Sequence, residues 1–359
     1  MNLDHLPHLN GCGSASAQRM LPPENSRRGR WVPGAAGLVA AVAALTAAGC
    51  RGAQSSLDPA GRGAERIAEL FWWMSGGAVV IWIGVAWLAW SAIRGRASGF
   101  DARRARWYII GGGAVLPTVV LTGLLVYGLG MMPELLQPAP PGSLRVTVVG
   151  EQWWWRVHYH LPDGRTVTTA NEVRLPVDRA VEFLLESPDV IHAFWIPALG
   201  GKMDMIPGRQ TRLLLHPTRT GTFRGVCAEY CGDSHALMAF SVVVMAEPEF
   251  AAWLAVQEQP AESPVAGALA RGRDAFFANG CGACHTIRGT EAAGVIGPDL
   301  THVGGRLSLG AGILPNDPEA MRRWIEATDQ VKPGVLMPHF GMLPPGELEA
   351  LAAYLHALR

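Results

Sequence analysis

The sequence predicts a multidomain membrane protein in three parts: a two-helix transmembrane hairpin, an all-β domain and an all-α domain. Three observations carry this. Residues 67–93 hold one charge, Glu69, and residues 107–132 hold none; each run exceeds the ~20 residues that span a bilayer. From residue 144 onward apolar and polar residues alternate in short runs separated by turn signals, as strands do. The last part of the chain carries apolar stripes at helical spacing. Composition agrees, with 49% hydrophobic and only 17% charged residues. Thirty Lys and Arg balance thirty Asp and Glu, so no basic surface invites nucleic acid.

In chain order, residues 1–49 read as a leader. Arg27, Arg28 and Arg30 precede an apolar run, 32–48, closed by Gly49 and Cys50. A basic region, a short apolar region and small residues describe a secretory signal. Cys50 directly after Ala47-Ala48-Gly49 resembles a bacterial lipoprotein signal, which implies lipidation of Cys50; Ala47 departs from the usual leucine. Met20 is an alternative start, and Cys12 then has no role. Residues 50–66 are an exported N-terminal segment.

The hairpin occupies residues 67–132. Its connecting loop carries Arg94, Arg96, Arg103, Arg104 and Arg106 against Asp101. By the positive-inside rule that loop is cytoplasmic, and all that follows the hairpin is exported. Trp72, Trp73, Trp87, Trp90 and Trp107 suit the interfacial belts.

Residues 133–247 form the all-β domain. Alternation is clearest at 144–149, 181–185, 213–215 and 240–244, with turns at 162–164, 176–178, 187–189 and 220–221. Within it, Cys227, Cys231, His235 and Met238 fall in a dozen positions. Thiolate and thioether are soft ligands, and imidazole suits copper as well as zinc. A structural zinc site wants only Cys and His, so the methionine favours copper in electron transfer. His192 can supply a second imidazole. A disulfide between Cys227 and Cys231 is the plain alternative. Trp153, Trp154 and Trp155 cannot all face inward on one strand, so at least one is exposed or in an interface. His158, His160 and His216 lack ligand partners at useful spacing and read as surface or strand histidines.

Residues 248–264 are acidic and Pro-containing and read as a linker, with a short helix around 250–256. Residues 265–359 follow. Cys281-Gly-Ala-Cys284-His285 is the c-type haem attachment signature. Thioethers form at the two thiols, and His285 is the proximal iron ligand. The sixth ligand should come from the loop before the last helix. Met337 fits best, and Met342, His339 and His302 are its rivals.

These motifs carry a family resemblance. The pattern C-x-E-x-C-x-x-x-H-x-x-M at 227–238, with Q-W-W-W at 152–155, H-A-F-W-I-P at 192–197 and G-G-K-M-D-M-I-P-G-R at 200–209, resembles the CuA site of subunit II of haem-copper cytochrome c oxidases. The C-terminal region is similar to a class I cytochrome c, with Gly272, Phe276 and Tyr354 resembling the contacts where its first and last helices cross. Such a fusion resembles the caa3 type. The likeness runs from about residue 57 to the C-terminus.

The resemblance implies a cupredoxin-like Greek-key domain and a binuclear copper (CuA) centre. In it Cys227 and Cys231 bridge, His192 and His235 each cap one copper, and Met238 and the Glu229 carbonyl are weak ligands. It further implies Mg²⁺ held by the Glu229 side chain and shared with subunit I. It makes Trp153 the electron-entry residue facing a cytochrome c donor, and turns Asp204 and Arg209 toward subunit I. Haem c is the second cofactor. Partners implied are oxidase subunits I and III and a cytochrome c or quinol–cytochrome c reductase donor, at the bacterial cytoplasmic membrane with the soluble domains on its outer face. The implied function is electron input to a terminal oxidase that reduces O₂ and pumps protons. A CuA-bearing nitric oxide reductase subunit and a copper-delivery or redox-interaction protein are the rival readings. One departure stands out: the second helix begins Trp107-Tyr-Ile-Ile-Gly-Gly-Gly, without the early glutamate many members carry.

Overall fold

The computed structural model describes residues 51–95, 101–262 and 267–359, together with Gly37. Cys12, the leader arginines, Cys50 and Arg96 lie outside the described residues, and so do the expectations placed on them.

Helix α1 spans Arg62–Arg94, starting earlier than its apolar run. The reason is local: the Ala60, Arg62 and Ala64 amides donate to Ala198 O, His216 O and Leu199 O of the β-domain. Glycine is needed at position 61, where a Cβ would stand 2.6 Å from Leu199 O. Helix α2 runs as Ala102–Arg106, a π-helical stretch Trp107–Val115, and Leu116–Leu136. The wide turn contains Gly111, Gly112 and Gly113 and ends on the Leu116 N–H to Gly111 O bond. Glycine weakens ordinary helix there. Asp101 caps α2, accepting from the Arg103 amide at 3.0 Å. Among the described residues, these two helices are long and apolar enough to cross a membrane. Their large apolar side chains stand exposed, Trp73 and Trp82 among them.

Ten strands follow: β1 (Leu144–Glu151), β2 (Trp154–His160), β3 (Thr166–Ala170), β4 (Glu172–Pro176), β5 (Val181–Glu186), β6 (His192–Trp195), β7 (Met203–Met205), β8 (Thr211–Leu215), β9 (Gly221–Cys227) and β10 (Ala239–Met245). They form two five-stranded sheets, ordered β3-β2-β1-β5-β8 and β4-β10-β9-β6-β7. The β1–β5 and β10–β4 pairs are parallel, the others antiparallel. Alternation places Val146 and Val148 inside, beside Phe183 and Leu185 of the neighbouring strand. β6 is short and mostly buried, so no alternation marks it. Trp155, Phe194 and Phe240 fill the core, with Phe194 stacked on Phe240 at 4.8 Å. His158 and His160 bond across strands to Thr168 and Thr147 at 2.8 and 2.7 Å.

The segment expected as a linker is largely ordered. Helix α3, Glu247–Glu258, packs over β3 and β4. Phe250, Trp253 and Leu254 recur at i, i+3 and i+4 and cover Tyr159, whose ring meets Trp253 edge-on at 5.3 Å.

The C-terminal domain is built on α4 (Gly267–Ala278), α5 (Pro318–Glu326) and α6 (Pro345–Ala357), with a small ribbon of β11 (Ser308–Leu309) and β12 (Leu314–Pro315). Helices α4 and α6 cross at Gly272, where a Cβ would come 2.0 Å from Ala350 O. Phe276 meets Tyr354 edge-on beside the crossing.

This domain lies against the β-domain. Arg156 Nη2 donates to Val295 O at 2.9 Å and the Leu307 amide to Glu172 at 2.7 Å. The Ala239 amide donates to Ala311 O, and Arg224 Nη1 to Gly312 O, each at 3.0 Å.

Candidate metal centres

Strand β9 ends at Cys227, and the chain returns to β10 through a loop carrying Cys231, a 3₁₀ turn at His235–Leu237, and Met238. β6, paired with β9, brings His192 beside Cys227. His192 Nδ1, Cys227 Sγ and Cys231 Sγ lie within 4.8 Å of one another. Cys227 Sγ is 3.8 Å from His192 Nδ1 and 3.2 Å from the Glu229 carbonyl oxygen. Cys231 Sγ is 3.5 Å from His235 Nδ1 and 3.8 Å from Met238 Sδ. All six candidate ligands therefore converge. Each histidine approaches a different cysteine, and the two sulfurs sit between them.

The thiols are free and their sulfurs 3.8 Å apart. A disulfide needs about 2.05 Å. Two sulfurs held at ~2.3 Å on one tetrahedral metal are roughly 3.8 Å apart, so the residues fit a thiolate-bound metal. The electrostatics point the same way. The Cys231 thiol, bonded to Cys227, and the His192 ring hold Cys227 well below the ordinary thiol range; the same shared proton keeps Cys231 above it. A metal would replace that proton.

Sequence reading passed over Asp189 except as a turn residue. Its carboxylate accepts from His192 Nε2 at 2.9 Å and from the Gln152 amide at 2.7 Å. This fixes the tautomer and leaves Nδ1 free as a ligand. Burial opposes protonation of His192, yet the bonds to Cys227 and Asp189 outweigh it and raise its pKa. An Asp189→Ala variant is expected to bind copper about 10–100-fold more weakly with the fold intact. Competition against a chelator checks this, and unchanged affinity would remove Asp189 from the site.

Trp153 lies at the contact with the C-terminal domain. It is covered within the chain, only 6% exposed. A Cβ on Gly334 of the C-terminal domain would lie 2.7 Å from Trp153 Cη2. Its indole N–H donates to Cys231 O at 2.9 Å. Trp154 faces the other way, with the Arg156 guanidinium 4.6 Å above its ring. Lys332, also unnoticed in the sequence, is 1% exposed. Burial pushes its ammonium down to about 7, opposed by the charge of Cys231.

The Glu229 carboxylate, expected to hold Mg²⁺, accepts from Lys202 at 3.3 Å, and Lys202 also bonds Asp204 at 3.1 Å.

In the C-terminal domain Cys281 and Cys284 are free and half-buried. The His285 Nδ1 bonds Pro298 O at 2.8 Å, leaving Nε2 for a metal. Burial pulls the His285 pKa down against that bond. The buried Arg306 Nε finds no partner among the described residues, which fits an anionic haem carboxylate. Met337 is half-buried against the domain core, whereas Met342 is 69% exposed. His302 Nε2 is 3.0 Å from Gln259 O, and its buried Nδ1 finds no partner among the described residues.

Comparison with known proteins identifies both domains. Residues 160–246 match the family profile described as cytochrome c oxidase subunit II, periplasmic domain. Residues 269–359 match that of cytochrome c. Cytochrome c oxidase subunit 2 of Bacillus subtilis (strain 168) is 30% identical over 263 residues, covering 68% of this chain and 73% of the relative. The chain belongs to the cytochrome c oxidase subunit II family. Its cytochrome c domain implies haem, and its subunit II domain implies copper. The subunit 2 of Alkalihalophilus pseudofirmus is 37% identical over 217 residues, 60% of this chain. The chain spans 62% of the length of that relative and 62% of the one from Bacillus sp. PS3. A crystal structure of the periplasmic domain of subunit II of cytochrome oxidase from Bradyrhizobium japonicum is 32% identical. It covers 34% of this chain and 97% of that one, at a TM-score of 0.32.

Proposed function

We propose that this chain is the electron-input subunit of a haem-copper terminal oxidase, taking electrons at its own haem c and delivering them through a binuclear copper centre to subunit I. The observation that supports it most is the pairing of two free thiols 3.8 Å apart with a histidine on each. Cys227 and Cys231 would bridge the coppers, His192 and His235 would cap them, and Met238 and the Glu229 carbonyl would bind weakly. Cys281 and Cys284 would carry the haem, with His285 and Met337 axial. When bound, these groups supply one-electron redox chemistry. The protein's part is to hold the donors rigidly and keep water out: Cys227, Cys231, His192 and Met238 are all buried. Trp153 is the entry residue of the copper domain, and here its neighbour is the haem domain.

The arginine-rich loop would be cytoplasmic and both soluble domains periplasmic. A cytochrome c or quinol–cytochrome c reductase would reduce the haem. O₂ reduction and proton pumping would belong to subunit I, with subunit III beside it. At the subunit I face, Mg²⁺ on Glu229 would have to displace Lys202. The rival readings, a nitric oxide reductase subunit or a copper-delivery protein, draw less support. A delivery protein has no use for the haem domain, and the companion subunit separates the two reductases.

Mixing the purified protein with a reduced c-type cytochrome tests the order of transfer. Haem reduction should come first and loss of the copper absorbance second. Copper reduced before haem, or not at all, would contradict the proposal.

A further inference from the structure

Lys332 sits at the junction of the two domains, and the β-domain mechanism makes no use of it. Its ammonium donates to three carbonyls, Trp153 O at 2.6 Å, Leu237 O at 2.9 Å and Gly310 O at 2.8 Å. The three come from separate stretches of chain. Trp153 lies between β1 and β2, Leu237 immediately precedes the candidate ligand Met238, and Gly310 lies in the turn of the β11–β12 ribbon. An ammonium has three donors and no acceptor, so this side chain is fully satisfied. The neighbouring residues continue the contact. Ser234 Oγ donates to Pro333 O at 2.6 Å, and Gly334, with φ +79, lies against the Trp153 ring. Val335 packs on the core of the β-domain. Five positions after Lys332 comes Met337, the candidate axial ligand.

We propose that Lys332 is a positioning residue that fixes the loop bearing Met337 onto Trp153 and the copper-ligand loop. It rests on the electron-input reading. One ammonium ties the backbone of Trp153, which in turn bonds Cys231 O through its indole, to the haem domain. Loss of the ammonium leaves three buried carbonyls without their donor, a state that folded proteins avoid. The loop then shifts, Trp153 meets water, and the register between the two centres loosens. An arginine does not restore the contact, because its planar fork cannot converge on three carbonyls around one nitrogen.

Hydroxyl-radical footprinting of the full chain, loaded with haem and copper, tests this at single-residue resolution. In Lys332→Met the Trp153 labelling rate should rise at least about twofold over wild type, while Trp155, fully buried in the sheet core, stays unlabelled. A rise below about twofold overturns the proposal. Should Trp155 labelling rise as well, the fold itself is disturbed, and Lys332→Arg is read by the same threshold. Haem-to-copper transfer is followed in parallel. In the variant it should slow at least about fivefold with both midpoint potentials unchanged. Wild-type protein that passes no electron from haem to copper would sink the electron-input reading while the footprint still judges Lys332.

Discussion

Replacing Cys231 with serine is expected to empty the copper site of at least one metal and to stop electron passage, with the haem retained. Cys231 stands at the centre of the candidate ligands. Its sulfur lies 3.8 Å from Cys227 Sγ, 3.5 Å from His235 Nδ1 and 3.8 Å from Met238 Sδ. Its carbonyl accepts from both the Trp153 indole and the Gln152 side chain. A serine hydroxyl is a hard, protonated oxygen in place of a soft thiolate, and copper selects thiolate. The backbone contacts survive the change, so the fold should hold. Copper content should fall by half or more, and haem-to-copper transfer by at least about a thousandfold, since the shared ligand is gone. Metal analysis and rapid-mixing absorbance check both. Full copper content in Cys231→Ser would show that the sulfur bridges nothing.

Replacing Met337 with leucine should lower the haem potential and abolish the iron–sulfur absorption band, whereas Met342→Leu should do neither. Leucine keeps the volume that Met337 contributes to the domain core, so stability should change by less than ~1.5 kcal/mol. What is lost is the thioether ligand. A Met/His pair raises the potential, and axial ligands tune haem over about 0.8 V, so a fall on the order of 100 mV or more is expected. The haem would then be harder for its donor to reduce, although its drive toward copper would grow, and steady turnover should drop as haem reduction becomes limiting. The contrast rests on placement: Met337 packs on the domain core, and Met342 is largely exposed. Redox titration of both variants separates them, and a band lost only in Met342→Leu would reverse the assignment.

What the sequence made legible was whatever is encoded at short range. The soft ligands at 227–238 and the C-x-x-C-H motif are spacings, and spacing can be read directly. The alternation in β1, β5, β8 and β10 is likewise local. β6 and β7 were not, because one is short and mostly buried and the other spans three residues. Helix α3 was half-visible: Phe250, Trp253 and Leu254 have helical spacing, but acidic and proline-containing flanks suggested a tether. The surface it covers, Tyr159, lies on a distant strand. Asp189 looked like an ordinary turn residue because its bond to His192 exists only in the folded chain. Lys332 and the covering of Trp153 were the least legible. The bond between them joins positions 179 residues apart, and nothing local to either announces it. Three consecutive tryptophans asked for a neighbour over one of them, and the contact of Trp153 with Gly334 of the haem domain shows where that neighbour comes from.

Quantifying copper and iron in the purified, metal-supplied chain tests the electron-wire reading most directly. About two coppers for each haem iron, with no zinc, is the expected result, because thiolate, imidazole and thioether together select copper. Zinc at the thiols, or a single labile copper that a mild chelator removes, would contradict it.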